Sequence, residues 1–143
     1  MRPTVEPIGL ELTRTGRLLS RAFDEELTRA GASLPVWLVL TALKGSDHTT
    51  QRQLAAAVGI EDATLTHHLN RLEADGIVSR HRDHNDRRAQ LVELTPAGEA
   101  LFAQLVGAVR AFDRRLRAGF DADELAGLRE ALARLRENVA RQP

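Results

Sequence analysis

Two groups of residues in this chain of 143 carry usable chemistry at a regular spacing. The first is Thr64, Thr66, His67, Asn70 and Arg71, with the small Ala63 beside them. Hydroxyl, imidazole, amide and guanidinium groups of this kind suit base edges and phosphate oxygens, and His67 is the central base-contact candidate. The second is Arg80, Arg82, Arg87 and Arg88, which bracket the turn-forming run Asp83-His84-Asn85-Asp86. Catalytic patterns are missing: no nucleophile elbow, Gly-rich phosphate loop or paired-carboxylate site occurs, so no enzyme is expected. The chain has no cysteine, which excludes disulfides, thiolate zinc sites and a cysteine redox switch. Its five histidines (48, 67, 68, 81 and 84) make a metal site worth weighing. No pair has partners of obvious ligand spacing apart from the adjacent His67 and His68, whose side chains diverge by about 100° on a helix. No metal and no cofactor are expected.

These groups need elements to position them. Leu65, Leu69 and Leu72 form an apolar stripe at helical spacing within the segment Gly59 to Gly76. With that stripe inward, Ala63, His67, Asn70 and Arg71 point outward, and Thr64 and Thr66 lie on the flanks. Thr50 and Gln53 form a capping-box pattern that opens a shorter helix before it, with Leu54 and Val58 inward and Gly59 as the turn. Two strands, 77–82 and 89–94, follow with a charged tip between them. Two helices joined by a tight Gly turn and followed by a hairpin make a winged helix-turn-helix. In such a unit the second helix can enter the major groove of DNA, and the wing can reach the neighbouring minor groove.

Helices flank this unit on both sides. Ile8, Leu12, Leu19, Phe23 and Leu27 predict a first helix over 8–30, and Pro35 sits in the first turn of a second that ends at Gly45. Thr95-Pro96 opens a fifth helix along Leu101, Leu105, Val109, Phe112 and Leu116. Asp121 and Glu124 open a sixth, whose Leu125, Leu128, Leu132, Leu135 and Val139 follow a coiled-coil seam. So much apolar helix outside the reading head points to a symmetric dimer, which would set two heads on adjacent half-sites. The expected class is mainly α (α+β). It divides into an N-terminal dimerisation helix (1–32), a winged helix-turn-helix (33–95) and C-terminal dimerisation helices (96–143).

Net charge is formally zero. Residues 50–95 hold six arginines against seven acids, so DNA binding must rely on placed charges rather than a broad basic face. The basic residues are nineteen arginines and the single Lys44, a habit of high-GC bacterial coding. No apolar run is long enough for a membrane span or a signal peptide, and a cytoplasmic protein is expected.

The ordering resembles the MarR family of bacterial transcription regulators over nearly the whole chain. The most specific stretch is NDRRAQLVELTPAGEAL, where Asp86 and Arg88 fit the family's D-x-R wing and Leu94-Thr95 its strand end. Gln53-Leu54-Ala55, Leu65-Thr66, Leu69, Leu72-Glu73, Gly76 and Ile77 fit the helix-turn-helix half. The resemblance implies a homodimer on an inverted-repeat operator in double-stranded DNA, acting as a repressor released by a small aromatic or phenolic effector. It implies that Arg88 enters the minor groove, that Asp86 holds the wing in shape, and that the outer face of the fourth helix reads bases. Some members sense oxidants through a first-helix cysteine, which this chain lacks.

The DNA-facing set is therefore Thr50, Arg52, Ala63, Thr64, Thr66, His67, Asn70, Arg71, Arg82, Arg87 and Arg88. Arg88 could instead simply pair with Asp86, and Arg80, Arg82 and Arg87 could be phosphate contacts or solvated charges. Trp37 is either a core anchor or one wall of an effector pocket, with Arg17 and Arg21 to meet a ligand carboxylate. The competing class is a winged helix for protein–protein contact, which would need neither arginines at a wing tip nor small polar residues on the outer helix face.

Overall fold

The computed structural model describes residues 6–46 and 49–141. His48 lies outside the described residues, as do the chain's last two. The order is α1 (Ile8–Arg29), α2 (Leu34–Lys44), β1 (Thr49–Thr50), α3 (Gln51–Val58), α4 (Asp62–Ala74), β2 (Val78–Arg82), β3 (Gln90–Leu94), α5 (Pro96–Arg117) and α6 (Ala122–Ala140). This is a mainly α winged helix-turn-helix, as the patterning predicts. The described residues form two compact units that divide inside α5, between Val109 and Arg110.

Local chemistry sets the helix ends in the first unit. Ser33 caps α2, with Pro at the head of the helix. Thr50 and Gln53 form the expected reciprocal capping box on α3, and Gly59 turns the chain in the left-handed region at φ 72°. Gly76 ends the α4 segment at φ 73°. The strands start one residue later than the pattern suggests. A two-residue strand, β1, was not expected; it completes an antiparallel sheet in the order β1-β3-β2, with Thr49 opposite Val92.

One core cluster joins Val39 and Leu43 of α2, Leu54 and Ala55 of α3, Leu65, Leu69 and Leu72 of α4, Val78 of β2 and Val92 of β3. The expected α4 stripe is thus buried, and Ala55 takes a deeper place in α3 than Val58. A second cluster is built on Leu27, Leu40 and Leu105, with Phe23, Trp37, Leu101 and Phe102 around them. It joins α1, α2 and the first turns of α5.

Thr95 ties the wing to α5. Its backbone N–H donates to the Ile77 carbonyl at 3.0 Å. Its hydroxyl faces the carbonyls of Gly76 and Ile77 and accepts the Gly98 N–H at 3.1 Å. Gly98 is buried at this junction, and nothing larger fits: a Cβ would lie 2.2 Å from the Ile77 carbonyl oxygen.

In the second unit, Gly119 at φ 85° separates the end of α5 from α6. Asp121 and Glu124 form a capping box that opens α6, as expected. The Arg115 guanidinium lies 5.2 Å from the Phe112 ring centroid. No residue of α6 is buried, and Leu128 and Val139 of its seam are 47% and 80% exposed. On α1, Ile8, Leu10, Leu12, Leu18 and Leu19 are also exposed, so apolar residues remain uncovered on α6 and on the part of α1 that precedes Phe23 and Leu27.

Candidate nucleic-acid interface

The wing places its arginines by the period of two. In β2, Val78, Arg80 and Arg82 share one face, and Val78 is in the core. Arg80 therefore points at α4 rather than at solvent. Its backbone N–H, Nε and Nη2 donate to the Glu73 carboxylate at 3.1, 3.3 and 3.1 Å, and Nη2 also donates to Asn70 Oδ1 at 2.6 Å. Its side chain is only 13% exposed. Of the alternatives for Arg80, the structure answers one: the side chain is paired and mostly buried, not a solvated charge. The signal was in the sequence: Arg80 is two residues from a core valine. The hydrogen bond and charge of Arg80 hold the Glu73 carboxyl below its ordinary pKa, against the desolvation that would raise it.

The wing tip is shaped by two carboxylates acting on backbone. Asp83 accepts the Asn85 N–H and Asp86 accepts the Arg88 N–H, each at 3.0 Å. Asp86 holds Arg88 through its main chain, and among the described residues no ion pair joins the two side chains. The Arg88 guanidinium is left to the groove.

That groove lies between the wing and the starts of α3 and α4 and encloses about 670 Å³. Arg52, Arg82, Arg87 and Arg88 line it, with Gln51, Gln90 and one carboxylate, Asp62. Among the described residues these four guanidiniums have no ion-pair partner. A chain with zero net charge thus concentrates four positive groups against one negative group at a single place. Such a groove suits a polyanion.

The outer face of α4 adjoins it. Ala63, Thr64, His67, Asn70 and Arg71 are exposed, with Thr66 half-buried. Two threonines of the sequence-derived set have structural work. Thr50 Oγ1 accepts the Gln53 N–H as the cap of α3. Thr66 Oγ1 accepts from Gln51 Nε2 and donates to the Asp62 carbonyl, both at 2.8 Å, fixing α4 on α3. His81 faces Glu93 across the strands at 3.8 Å, and His67 and His68 have their rings 6.0 Å apart. Among the described residues no group of three or more His, Asp or Glu could hold a metal ion.

A second cavity, also about 670 Å³, lies on the other flank of α4. Val36, Leu72, Ile77 and Leu101 give it apolar walls, and Thr28, Ser33, His67, His68, Arg71 and Asp75 give it polar ones. The suggested pocket residues lie elsewhere. Trp37 stacks on Phe102 at 5.7 Å with a 7° interplanar angle, in the second core cluster. Arg17 and Arg21 are exposed on α1 and do not line the cavity. No local pattern marks this cavity, because its walls come from four separate helices.

Comparison with known proteins places this geometry in a class. Residues 33–89 match the profile of the MarR family. A probable transcriptional regulator from Pseudomonas aeruginosa is 29% identical, with 91% of this chain and 97% of that chain aligned and a TM-score of 0.75. A mutant MarR from E. coli, solved with operator DNA, is 27% identical, with 91% and 94% aligned and a TM-score of 0.77. The transcriptional repressor CouR, solved on a 23-mer DNA duplex, is 26% identical, with 95% and 94% aligned and a TM-score of 0.80. Over residues 33–89 the chain matches the MarR family, and its fold is the winged helix-turn-helix of these regulators. Among the described residues no helix is long and apolar enough to cross a membrane.

Proposed function

We propose that this protein is a homodimeric transcriptional repressor of the bacterial cytoplasm that binds an inverted-repeat operator and is released by a small molecule. The observation that carries the DNA reading is the groove, where the unpaired guanidiniums of Arg52, Arg82, Arg87 and Arg88 adjoin the exposed polar face of α4. In this reading α4 enters the major groove and His67, Asn70 and Arg71 meet base edges or phosphates. Arg88 reaches the minor groove from the wing, and Asp86 holds the backbone that carries it. Two relatives solved on DNA, the E. coli MarR mutant and CouR, support the DNA-binding reading. A module for protein contact alone would not need four uncompensated arginines beside a polar helix face.

The terminal segments 1–32 and 96–143 act as dimerisation elements, which accounts for the exposed leucines of α1 and α6. The cavity behind α4 suits a small aromatic or phenolic effector, whose apolar body would meet Val36, Leu72 and Leu101. His67 and Arg71 border both this cavity and the DNA-facing surface, so a bound molecule there would compete with DNA for the same side chains. Selection of bound sequences from random duplex DNA, with the purified full chain, tests the central claim. Enrichment of a two-fold motif with half-sites about one helical turn (~10 bp) or a small multiple apart is expected. Recovery of no motif, or of one lacking inverted symmetry, overturns it.

A further inference from the structure

The contact between Arg80 and Asn70 has a consequence for which bases the protein can read. We propose that Arg80 is a positioning residue for base reading: it holds the carbonyl oxygen of Asn70 on the side of β2, so that Asn70 meets a base edge through its NH2, as a hydrogen-bond donor. This inference rests on the DNA-binding reading above.

A guanidinium has donors and no acceptor, so the oxygen of the Asn70 amide must be the end that faces Arg80. The 2.6 Å distance is that of a short, charge-assisted bond. Arg80 is itself fixed before it reaches Asn70, because its backbone N–H, Nε and Nη2 are bound by Glu73. Asn70 and Glu73 stand three apart on α4, on the side that meets the wing. The guanidinium bridges them from β2, and the amide inherits its orientation from the ion pair. The remaining free polar group of Asn70 is its NH2, on an exposed position of the outer face. An unconstrained asparagine reads adenine through both ends, accepting from N6 and donating to N7. Here Arg80 turns the amide oxygen towards β2 and takes one of its two lone pairs, so the NH2 is the end presented outward, and Asn70 favours a base acceptor such as guanine O6 or N7 over the two-ended contact with adenine. Fixing the amide in advance also spares its rotamer freedom on binding.

The experiment compares wild type with Arg80→Lys, Asn70→Ala and Asn70→Asp in sequence selection and operator affinity. Arg80→Lys keeps a positive charge opposite Glu73 but lacks the fork that spans both partners. It should change base preference at one position of each half-site, the same position that Asn70→Ala changes, and add nothing in the double variant. Asn70→Asp leaves an oxygen for Arg80 and removes the donors. It should lose about tenfold or more in operator affinity without a lower melting temperature. The Asn70 side-chain NH2 resonances of the free protein should move in Arg80→Lys. Wild-type affinity in Asn70→Asp would overturn the proposal. So would additive effects of the two positions, a uniform loss across all sequences, or unmoved NH2 resonances. If wild type selects no sequence at all, the DNA reading fails, and the resonances still decide whether Arg80 orients Asn70.

Discussion

Replacing Gly98 by alanine should destabilise the protein, against the usual direction for this change in a helix. Gly98 is in the first turn of α5, where alanine would ordinarily add at most about 1 kcal/mol by propensity. Its added Cβ would stand 2.2 Å from the Ile77 carbonyl oxygen and 3.2 Å from both the Ile77 carbonyl carbon and Leu94 Cδ2. A carbon–oxygen contact settles at about 3.3–3.6 Å, so α5 or the Ile77 peptide must retreat by roughly 1 Å. Neither can move freely, since Ile77 accepts the Thr95 N–H and the Thr95 hydroxyl caps Gly98. Overpacking of this kind costs about 1–3 kcal/mol, and a weakened hydrogen bond adds about 1 kcal/mol. The net expectation is a loss of roughly 1–3 kcal/mol, which for a chain of this size lowers the melting temperature by about 4–12 °C. Thermal unfolding at fixed protein concentration measures it, because a dimer's midpoint depends on concentration. Gly107→Ala, also in α5 but with nothing within 4 Å, is the control and should gain about 0.5–1 kcal/mol. A Gly98→Ala variant as stable as wild type would refute the close-approach argument.

Three further outcomes are expected. Arg88→Ala should keep the fold, weaken operator binding and reduce the salt slope by up to about one unit; unchanged binding at several salt concentrations would remove Arg88 from the interface. Leu128→Asp with Leu132→Asp should yield monomer or unfolded protein, whereas a stable monomer of the unaltered chain in sedimentation at micromolar concentration would sink the dimer. The lowered pKa of Glu73, set first by its hydrogen bond from Arg80, contributes stability that is present above the ordinary glutamate value and lost as pH falls through the lowered folded value. The stability gap between wild type and Glu73→Gln in denaturant titrations should therefore be widest near neutrality and close in acid; a gap that does not vary with pH would contradict this.

Where a signal was local, it could be read directly. The capping boxes at Thr50 and Asp121 need only residues three apart, and the α4 stripe needs only a helical period. Where position depended on a distant segment, it could not. Strand β1 is two residues long and exists only because β3 offers it an edge. Gly98 looks like any helix glycine until Ile77 is placed against it. The cavity behind α4 needs four helices in register before it has walls. Arg80 differs from these cases. The strand period was enough to turn it inward, but its charge and its neighbours at the wing suggested solvent. Thr66 gave no sign of its tie to Gln51, since a threonine on a helix flank has the same spacing whether it faces DNA or α3.

The junction at Thr95 bears on modularity. By sequence pattern alone the winged unit ends there, and a gene fusion drawn on that basis would borrow residues 33–95 as a cassette. The fold does not divide at that point. The cap on α5 is a wing residue, the carbonyls that Thr95 faces precede the wing, and Leu94 packs with Leu101 and Leu105 beyond it. Gln104 then reaches back to the Ala30 carbonyl at 2.8 Å, closing α5 onto the end of α1. A transplanted segment would arrive with Leu40 stripped of its partners Leu27 and Leu105. Recombination that keeps residues 33–95 folded must therefore carry the first turns of α5 and the last turn of α1 along with α4.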